Sequence, residues 1–269
     1  MSLVEHLREL RRRVVISAIA IAAGTAVAFV FHHQLLHLIT KPYCDLPAHT
    51  RALPGRCTLV VSGVLDPFTV TLRLSLYAGL LISSPIWLWQ IWQFITPGLY
   101  RRERRWALTF VGSSVALFAA GAVVAYITLQ NGLRFLLSFA SGGIGALLNF
   151  NSYLSYVTAM VLVFAVSFEF PLFLIMLNLA NIVSYQTLRR WWRGIIFGIF
   201  VFAALATPSQ DPFTMSALAL PMCLLYGVAL VVASVHDRRL AARPSPYANL
   251  ADDELSPLDD ETLSPGAAG

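Results

Sequence analysis

The sequence predicts an all-α polytopic membrane protein with six transmembrane helices. Of its 269 residues, 57% are hydrophobic and only 12% are charged, and the mean hydropathy is +0.69. A soluble domain carries about 25% charged residues to cover its surface. Several uncharged runs approach or exceed the roughly 20 residues that a helix needs to cross a bilayer. These observations exclude a soluble globular domain and a disordered chain, and the presence of only 3 Cys excludes a disulfide scaffold.

The first two spans are predicted at residues 14–31 and 67–95. Arginines precede the first run, so a cleaved secretory signal is the alternative to a membrane anchor. The apolar part of a signal ends after about 7 to 15 residues, whereas this run continues for 18. We therefore predict a retained helix. The second run contains one charge, Arg73, whose side chain can extend towards the interface.

Four more apolar runs follow, and one of them is short. Residues 106–128 and 153–179 are long enough to cross. The fifth run, 194–207, has 14 residues and would rise only about 21 Å as a helix, less than the roughly 30 Å hydrocarbon core. It either crosses a locally thinned bilayer or forms a re-entrant hairpin with the sixth run, 213–235. We favour six spans.

Positive charge predicts the orientation, because Lys and Arg are retained on the cytoplasmic side. The two terminal segments and the loops at 96–105 and 180–193 carry 14 of these residues, and the other loops carry 4. Both termini are therefore predicted to be cytoplasmic. We predict two parts, a six-span membrane domain at 1–236 and a disordered tail at 237–269, which contains 7 acidic residues.

Catalytic and metal-binding patterns are scarce. The sequence has no HExxH, GxSxG, CxxC or phosphate-binding loop. Four of its 6 His fall in the first outer loop, without the Cys or carboxylate ligands that usually accompany His in a zinc site. We expect no enzyme activity, no metal, no cofactor and no nucleic-acid partner. Cys44 and Cys57 in that loop could form a disulfide, whereas Cys223 lies in a span and is expected to fill space.

An acidic residue, Glu169, falls roughly midway through the fourth span. An uncompensated carboxylate there costs at least a few kcal/mol, so it must be protonated, paired or turned towards a polar cavity. One interpretation is a neutral carboxyl that hydrogen-bonds a neighbouring helix, and the other is a functional group. Pro171 is expected to bend the helix and to turn Glu169 towards a concave cavity.

Two further acids, Glu9 and Glu103, each stand alone among arginines on the predicted cytoplasmic side. Weak local ion pairs on a solvated surface would explain both, and Glu9 to Arg13 is a helical i,i+4 pair. A carboxylate also binds a guanidinium bidentately, so two such acids would suit a ligand with two arginines.

The outer turn before the sixth span contains Thr207, Gln210 and Asp211. The local pattern predicts that Asp211 is the N-cap of span six and that Pro212 occupies its first helical position. A polar turn placed shallowly by the short fifth span could also offer hydrogen bonds to another helix in the bilayer.

These segments resemble the TatC family, the multispanning receptor subunit of the twin-arginine protein translocase. The resemblance extends in order from residue 2 to about 236. It rests on His6-Leu7-x-Glu9-Leu10-Arg11, Asp66-Pro67-Phe68, Phe94-Ile95-x-Pro97-x-Leu99-Tyr100-x-x-Glu103-Arg104, Ser167-Phe168-Glu169-x-Pro171, Thr207-Pro208 with Asp211, and Pro221.

The resemblance implies a receptor for the paired arginines of signal peptides on folded precursors. It implies that Glu9 and Glu103 accept the arginines, with Phe94, Leu99 and Arg104 shaping the site. It further implies a bacterial plasma-membrane complex with single-span TatA and TatB proteins, an oligomeric assembly and transport driven by the proton-motive force. The partner helices are expected to dock near Thr207, Gln210, Asp211 and Met215. Some family members have Gln where this chain has Met215, and here Ser209 and Gln210 separate Pro208 from Asp211.

Two other functions fit the composition. A secondary transporter would also bury a midplane carboxylate, but it would show two related halves with interrupted spans, which we do not find. A structural scaffold would need no acids isolated among arginines. Copurification with arginine-paired precursors separates both from the receptor.

Overall fold

The computed structural model describes residues 3–46, 59–61, 63–95, 104–139, 148–209 and 211–242, and within these it contains ten helices. They are α1 (Leu3–Val30), α2 (His32–Cys44), α3 (Asp66–Ile82), α4 (Ser84–Ile95), α5 (Arg104–Ser138), α6 (Phe150–Ser167), α7 (Phe170–Leu179), α8 (Tyr185–Arg190), α9 (Trp192–Ala206) and α10 (Pro212–Ala241). One isolated bridge, Val60 to Asn149, is the only β pairing in the described chain. The all-α prediction is confirmed.

Four segments are long and apolar enough to cross a membrane. They are Val4–Val30, Leu108–Ser138, Phe150–Leu179 and Pro212–Ala241. The bent pair α3 and α4 would add a fifth. Helix α9 has 15 residues and rises only about 22 Å, so the predicted short helix is present. The protein is therefore a multi-pass membrane protein, while the count of six spans stays a prediction.

The second predicted span is broken. Helices α3 and α4 meet at Ser83 with a bend of 56°. Ser83 Oγ donates to the carbonyl of Leu80 at 3.3 Å, and Pro85 follows where a continuing helix would need an N–H donor. The sequence prediction of one continuous run from 67 to 95 missed this break. The bend directs α4 against the first part of α1, where Glu9 lies.

The largest core joins the second half of the chain. It includes Leu129 on α5, Phe164 on α6, Ala203 on α9 and Leu218 on α10, each fully buried. A smaller core lies between α4, α5 and α7, where Trp92 packs edge-on against the Phe110 ring at 5.0 Å. This smaller core lies beside the carboxyl of Glu169, which bonds to Ser114 of α5.

Helices α1 and α3 pack backbone against backbone at two glycines. A Cβ on Gly24 would lie 2.7 Å from the Gly79 carbonyl oxygen, and one on Gly79 would lie 2.4 Å from the Thr25 nitrogen. Neither distance is possible without moving a helix. Small residues at such crossings allow the close van der Waals packing that holds helices together in lipid.

Large apolar side chains are exposed along the outer surfaces of the helices. Examples are Ile127 at 65% exposure, Leu205 at 75% and Leu224 at 74%. A soluble monomer rarely exposes apolar surface this extensively. These exposed side chains are suited to contact with the acyl chains of lipids, as expected from the hydrophobic composition of the chain.

Helix α10 continues to Ala241 and so extends past the predicted domain boundary at residue 236. Asp237 is part of that helix, and residues 243–269 lie outside the described residues. Cys44 is disulfide-bonded and Cys223 is a free thiol, whereas Cys57, the candidate partner, lies outside the described residues.

Candidate functional site

Glu9 lies on the first turns of α1 and faces the end of α4. Arg13, one turn later, donates from Nη2 to Glu9 Oε1 at 2.5 Å and from Nε to the same oxygen at 3.2 Å. Arg13 Nη1 also donates to Gln93 Oε1 on α4 at 2.8 Å. The predicted i,i+4 pair is therefore present, and Gln93 ties it to a second helix.

Phe94 lies beside this pair. Its ring stacks on the imidazole of His6, with centroids 4.6 Å apart and an interplanar angle of 24°. His6 precedes Glu9 by one helical turn, so α1 presents a ring contact and a carboxylate to the same end of α4. Arg104 is the first residue of α5. Leu99 and Glu103 lie outside the described residues.

The carboxyl of Glu169 is half-buried where the fourth predicted span is interrupted. Ser114 Oγ on α5 donates to Glu169 Oε2 at 2.7 Å, and Trp92 Nε1 on α4 donates to Ser114 Oγ at 2.8 Å. The other oxygen, Oε1, is buried and has no hydrogen-bond partner among the described residues. One oxygen is thus fixed, and the other retains an unused acceptor.

The interruption itself positions Glu169. Helix α6 ends at Ser167 and α7 begins at Phe170, with Pro171 in its first turn. The Glu169 N–H donates to the Val166 carbonyl at 3.0 Å, which is a tighter turn than an α-helix makes. The helix is thus interrupted just before Pro171, but among the described helix pairs only α3 and α4 bend by more than 40°, so the bend expected at Pro171 is not a sharp one. The Glu169 carboxyl lies against Ser114 of α5.

At the end of the bundle opposite to Glu9, Asp211 is buried and caps α10. Its Oδ1 accepts from the N–H groups of Phe213 at 3.0 Å and Thr214 at 2.8 Å, and its Oδ2 accepts from Thr214 Oγ1 at 2.5 Å. Burial alone would raise the pKa of Asp211, but hydrogen bonds from Ser209, Thr214 and the two N–H groups hold it below its usual value. The predicted N-cap is confirmed.

The other residues expected to dock partner helices are placed as follows. Thr207 is buried, and its Oγ1 donates to the Ala203 carbonyl at 2.9 Å. Met215 is half-buried and packs against the large core. Gln210 lies outside the described residues. The polar atoms of Thr207 and Asp211 are therefore engaged inside the chain.

A further polar cluster was missed by sequence reasoning. Asp237 Oδ1 accepts from Asn178 Nδ2 at 3.0 Å, and its Oδ2 accepts from the Tyr185 N–H at 2.8 Å. Asn178 Nδ2 also donates to the Val183 carbonyl at 2.9 Å. The cluster ties the end of α10 to the loop after α7. An Asn near the end of an apolar run was the available signal.

Within the described chain, no three His, Cys, Asp or Glu side chains are grouped so that they could hold a metal ion. The assembled chemistry is instead that of carboxylates. Glu9 binds a guanidinium at an accessible surface. Glu169 is half-buried and its Oε1 has no hydrogen-bond partner among the described residues, whereas both oxygens of Asp211 accept hydrogen bonds.

Comparison with known proteins identifies the family. The family described as Sec-independent protein translocase protein (TatC) matches residues 5–221. A TatC of Frankia casuarinae is 55% identical over 100% of this chain and 76% of its own length. A TatC of Corynebacterium kroppenstedtii is 40% identical over 96% of this chain and 67% of its own length.

A solved structure has the same fold. The crystal structure of the twin-arginine translocase receptor TatC in DDM matches with a TM-score of 0.70 at 32% identity, over 85% of this chain and 99% of that one. Family, sequence and fold agree over most of the chain. The chain therefore belongs to the TatC family and is a TatC-type protein translocase component.

Proposed function

We propose that this chain is the receptor subunit of a twin-arginine translocase in the bacterial plasma membrane. It binds the twin-arginine signal peptides of folded precursors at its cytoplasmic face, with Glu9 and Glu103 as acceptors for the two guanidinium groups. Phe94, Leu99 and Arg104 shape that site. The chain assembles with single-span TatA- and TatB-type proteins, forms an oligomer, and supports transport driven by the proton-motive force.

The observation that carries this proposal is the Glu9 carboxylate beside the end of α4. The carboxylate already holds a guanidinium, that of Arg13, so the local geometry accepts the group that defines the signal. The Glu9 side chain keeps 27% of its surface exposed, which leaves it accessible to a peptide. The stacked His6 and Phe94 rings supply an aromatic surface at the same end of α4.

Partner docking near the Thr207 turn is a second part of the proposal. Because Thr207 and Asp211 are buried and bonded internally, the partner helix would contact the surface that they shape rather than their polar atoms. That surface includes exposed apolar side chains, such as Leu205 on α9 and Phe213 on α10. Close packing against short α9 would supply the attraction, as is usual between helices in lipid.

Crosslinking a labelled signal peptide to the purified full chain tests the receptor function. We expect Glu9→Ala and Glu103→Ala each to reduce capture, and the double variant to abolish it, while the membrane level of the protein is unchanged. Loss of a desolvated carboxylate from a guanidinium costs about 3 to 5 kcal/mol, against under about 1 kcal/mol for an exposed pair. Glu5→Ala, an equal charge change earlier on α1, is the control. Undiminished capture by the double variant would contradict the proposal.

The orientation is tested by cysteine labelling from either side of the membrane. Labels at Ser2, Arg102 and Ser245 should react only from the cytoplasm, and labels at Thr50, Ser141 and Ser209 only from outside. This pattern follows from the distribution of positive charge. Reaction of the Ser209 label from the cytoplasm would replace six spans with a re-entrant hairpin formed by α9 and α10.

A further inference from the structure

The guanidinium bound to Glu9 belongs to the chain itself. Arg13 is only 14% exposed, and the Glu9 side chain is 27% exposed. Both hydrogen bonds from Arg13 go to one carboxylate oxygen, Oε1. This geometry differs from the fork-to-fork pairing in which each carboxylate oxygen accepts one N–H group. An arginine that approaches Glu9 from outside could therefore bind with better geometry.

Arg13 has a second set of acceptors on α4. Its Nη1 donates to Gln93 Oε1 at 2.8 Å and lies 3.5 Å from Gln90 Oε1. Trp89 Nε1 donates to the same Gln93 oxygen at 3.1 Å and so fixes the amide. These neutral acceptors remain in reach if Glu9 is taken by another group. Arg13 would then keep hydrogen bonds without its carboxylate.

We propose that Arg13 is an internal competitor for Glu9, so that a signal arginine binds by displacing it onto Gln93 and Gln90. The inference rests on the proposed receptor function. Arg13 thereby sets the affinity threshold for signals, because every ligand of Glu9 must replace the same internal bond. It acts through Glu9 and is a positioning residue.

Signal binding to variants of the purified full chain tests this. The probe is a synthetic signal peptide with its arginine pair, and a second peptide carries two lysines instead. We expect Arg13→Gln to tighten binding of both peptides about twofold to fivefold, the factor that corresponds to a partly exposed ion pair. Both should tighten equally, since each displaces the same guanidinium.

Two controls separate competition from a general loss of positive charge. Arg12→Gln removes an equal charge from the preceding residue, which is exposed, and should not tighten binding. In a Glu9→Gln background, Arg13→Gln should have no further effect, because no carboxylate remains to compete for. Tightening by Arg12→Gln, or tightening that persists without Glu9, would overturn the proposal.

These variants also distinguish a failure of the competitor role of Arg13 from a failure of the receptor role of Glu9. If Glu9→Gln alone leaves capture unchanged, the proposed role of Glu9 fails. If Glu9→Gln reduces capture but folded Arg13→Gln binds with unchanged or weaker affinity, only the competitor role fails. Should Arg13→Gln fail to fold, Arg13→Lys replaces it, because Lys keeps the charge but lacks the two guanidinium nitrogens with which Arg13 donates to Glu9 Oε1. It should tighten binding by a smaller factor, and unchanged affinity would again refute competition.

Discussion

Two carboxylates, Asp211 and Glu169, each stand just before a helix with a proline in its first turn, yet they are used differently. Asp211 caps α10, with both oxygens accepting hydrogen bonds from the next turn. Glu169 precedes α7 and makes no side-chain cap. One of its oxygens accepts from Ser114, and the other has no partner among the described residues.

The difference separates a structural acid from one that can respond to a ligand. A carboxylate whose two oxygens both accept hydrogen bonds from nearby residues of its own chain contributes to folding and has little left to offer a partner. A half-buried carboxyl with an unused acceptor is costly to hold in a membrane and is, by default, a functional group. We therefore propose that Asp211 stabilises the fold and that Glu169 acts in a later step of transport.

The largest expected effect is that of Asp211→Ala. It removes the N-cap and leaves the Phe213 and Thr214 donors without their acceptor, which should lower the free energy of unfolding by about 2 to 4 kcal/mol. Asp211→Asn should restore most of the loss, because its side-chain oxygen can still cap. Thermal unfolding in detergent measures both. If the alanine variant is as stable as the parent, Asp211 is not a stabilising residue.

Ser114→Ala should have a smaller effect. It removes the hydroxyl that donates to Glu169 and accepts from Trp92, within a core that also contains Phe110 and Leu172. We expect a loss of about 1 to 2 kcal/mol, the cost of leaving buried polar groups unpaired. The same unfolding assay applies, with Ser113→Ala, the neighbouring serine, as control. A loss as large as that of Asp211→Ala would contradict the ranking.

For Glu169→Leu we expect a stability change of no more than about 1 kcal/mol. The hydrogen bond from Ser114 is lost, but the cost of keeping a carboxyl in an apolar setting is lost with it. Precursor export should nevertheless fail. If the leucine variant instead unfolds in the assay, Glu169 is a packing residue and the distinction from Asp211 disappears.

The smallest effect concerns pH. Because the folded state holds the pKa of Asp211 below its usual value, its contribution to stability is complete above about pH 4 and is lost only as pH falls through that lowered pKa. Asp211→Asn should therefore lose less stability than the parent between about pH 4 and pH 2. Unfolding midpoints across this range provide the check, and parallel curves for the two proteins would contradict it.

The features that could be predicted from the sequence are those that a local pattern of residues encodes. Apolar length predicted the long spans and the short α9, and a Thr-Pro turn followed by Asp-Pro predicted the cap at Asp211. The break at Ser83 was missed because the apolar run continues through it. The chain from Trp92 through Ser114 to Glu169 joins three helices, and no local pattern encodes which polar residues of separate spans meet. Gln93 and Asp237 were missed for the same reason.

Glu169→Gln tests the central claim most directly, because it keeps the hydrogen-bonding shape of the side chain but removes its charge and its proton. Signal-peptide binding and precursor export should be measured side by side on this variant. We expect normal folding, since Ser114 can still donate to the amide oxygen, together with normal signal binding and failed export. Normal export would contradict the account and leave Glu169 a structural residue like Asp211.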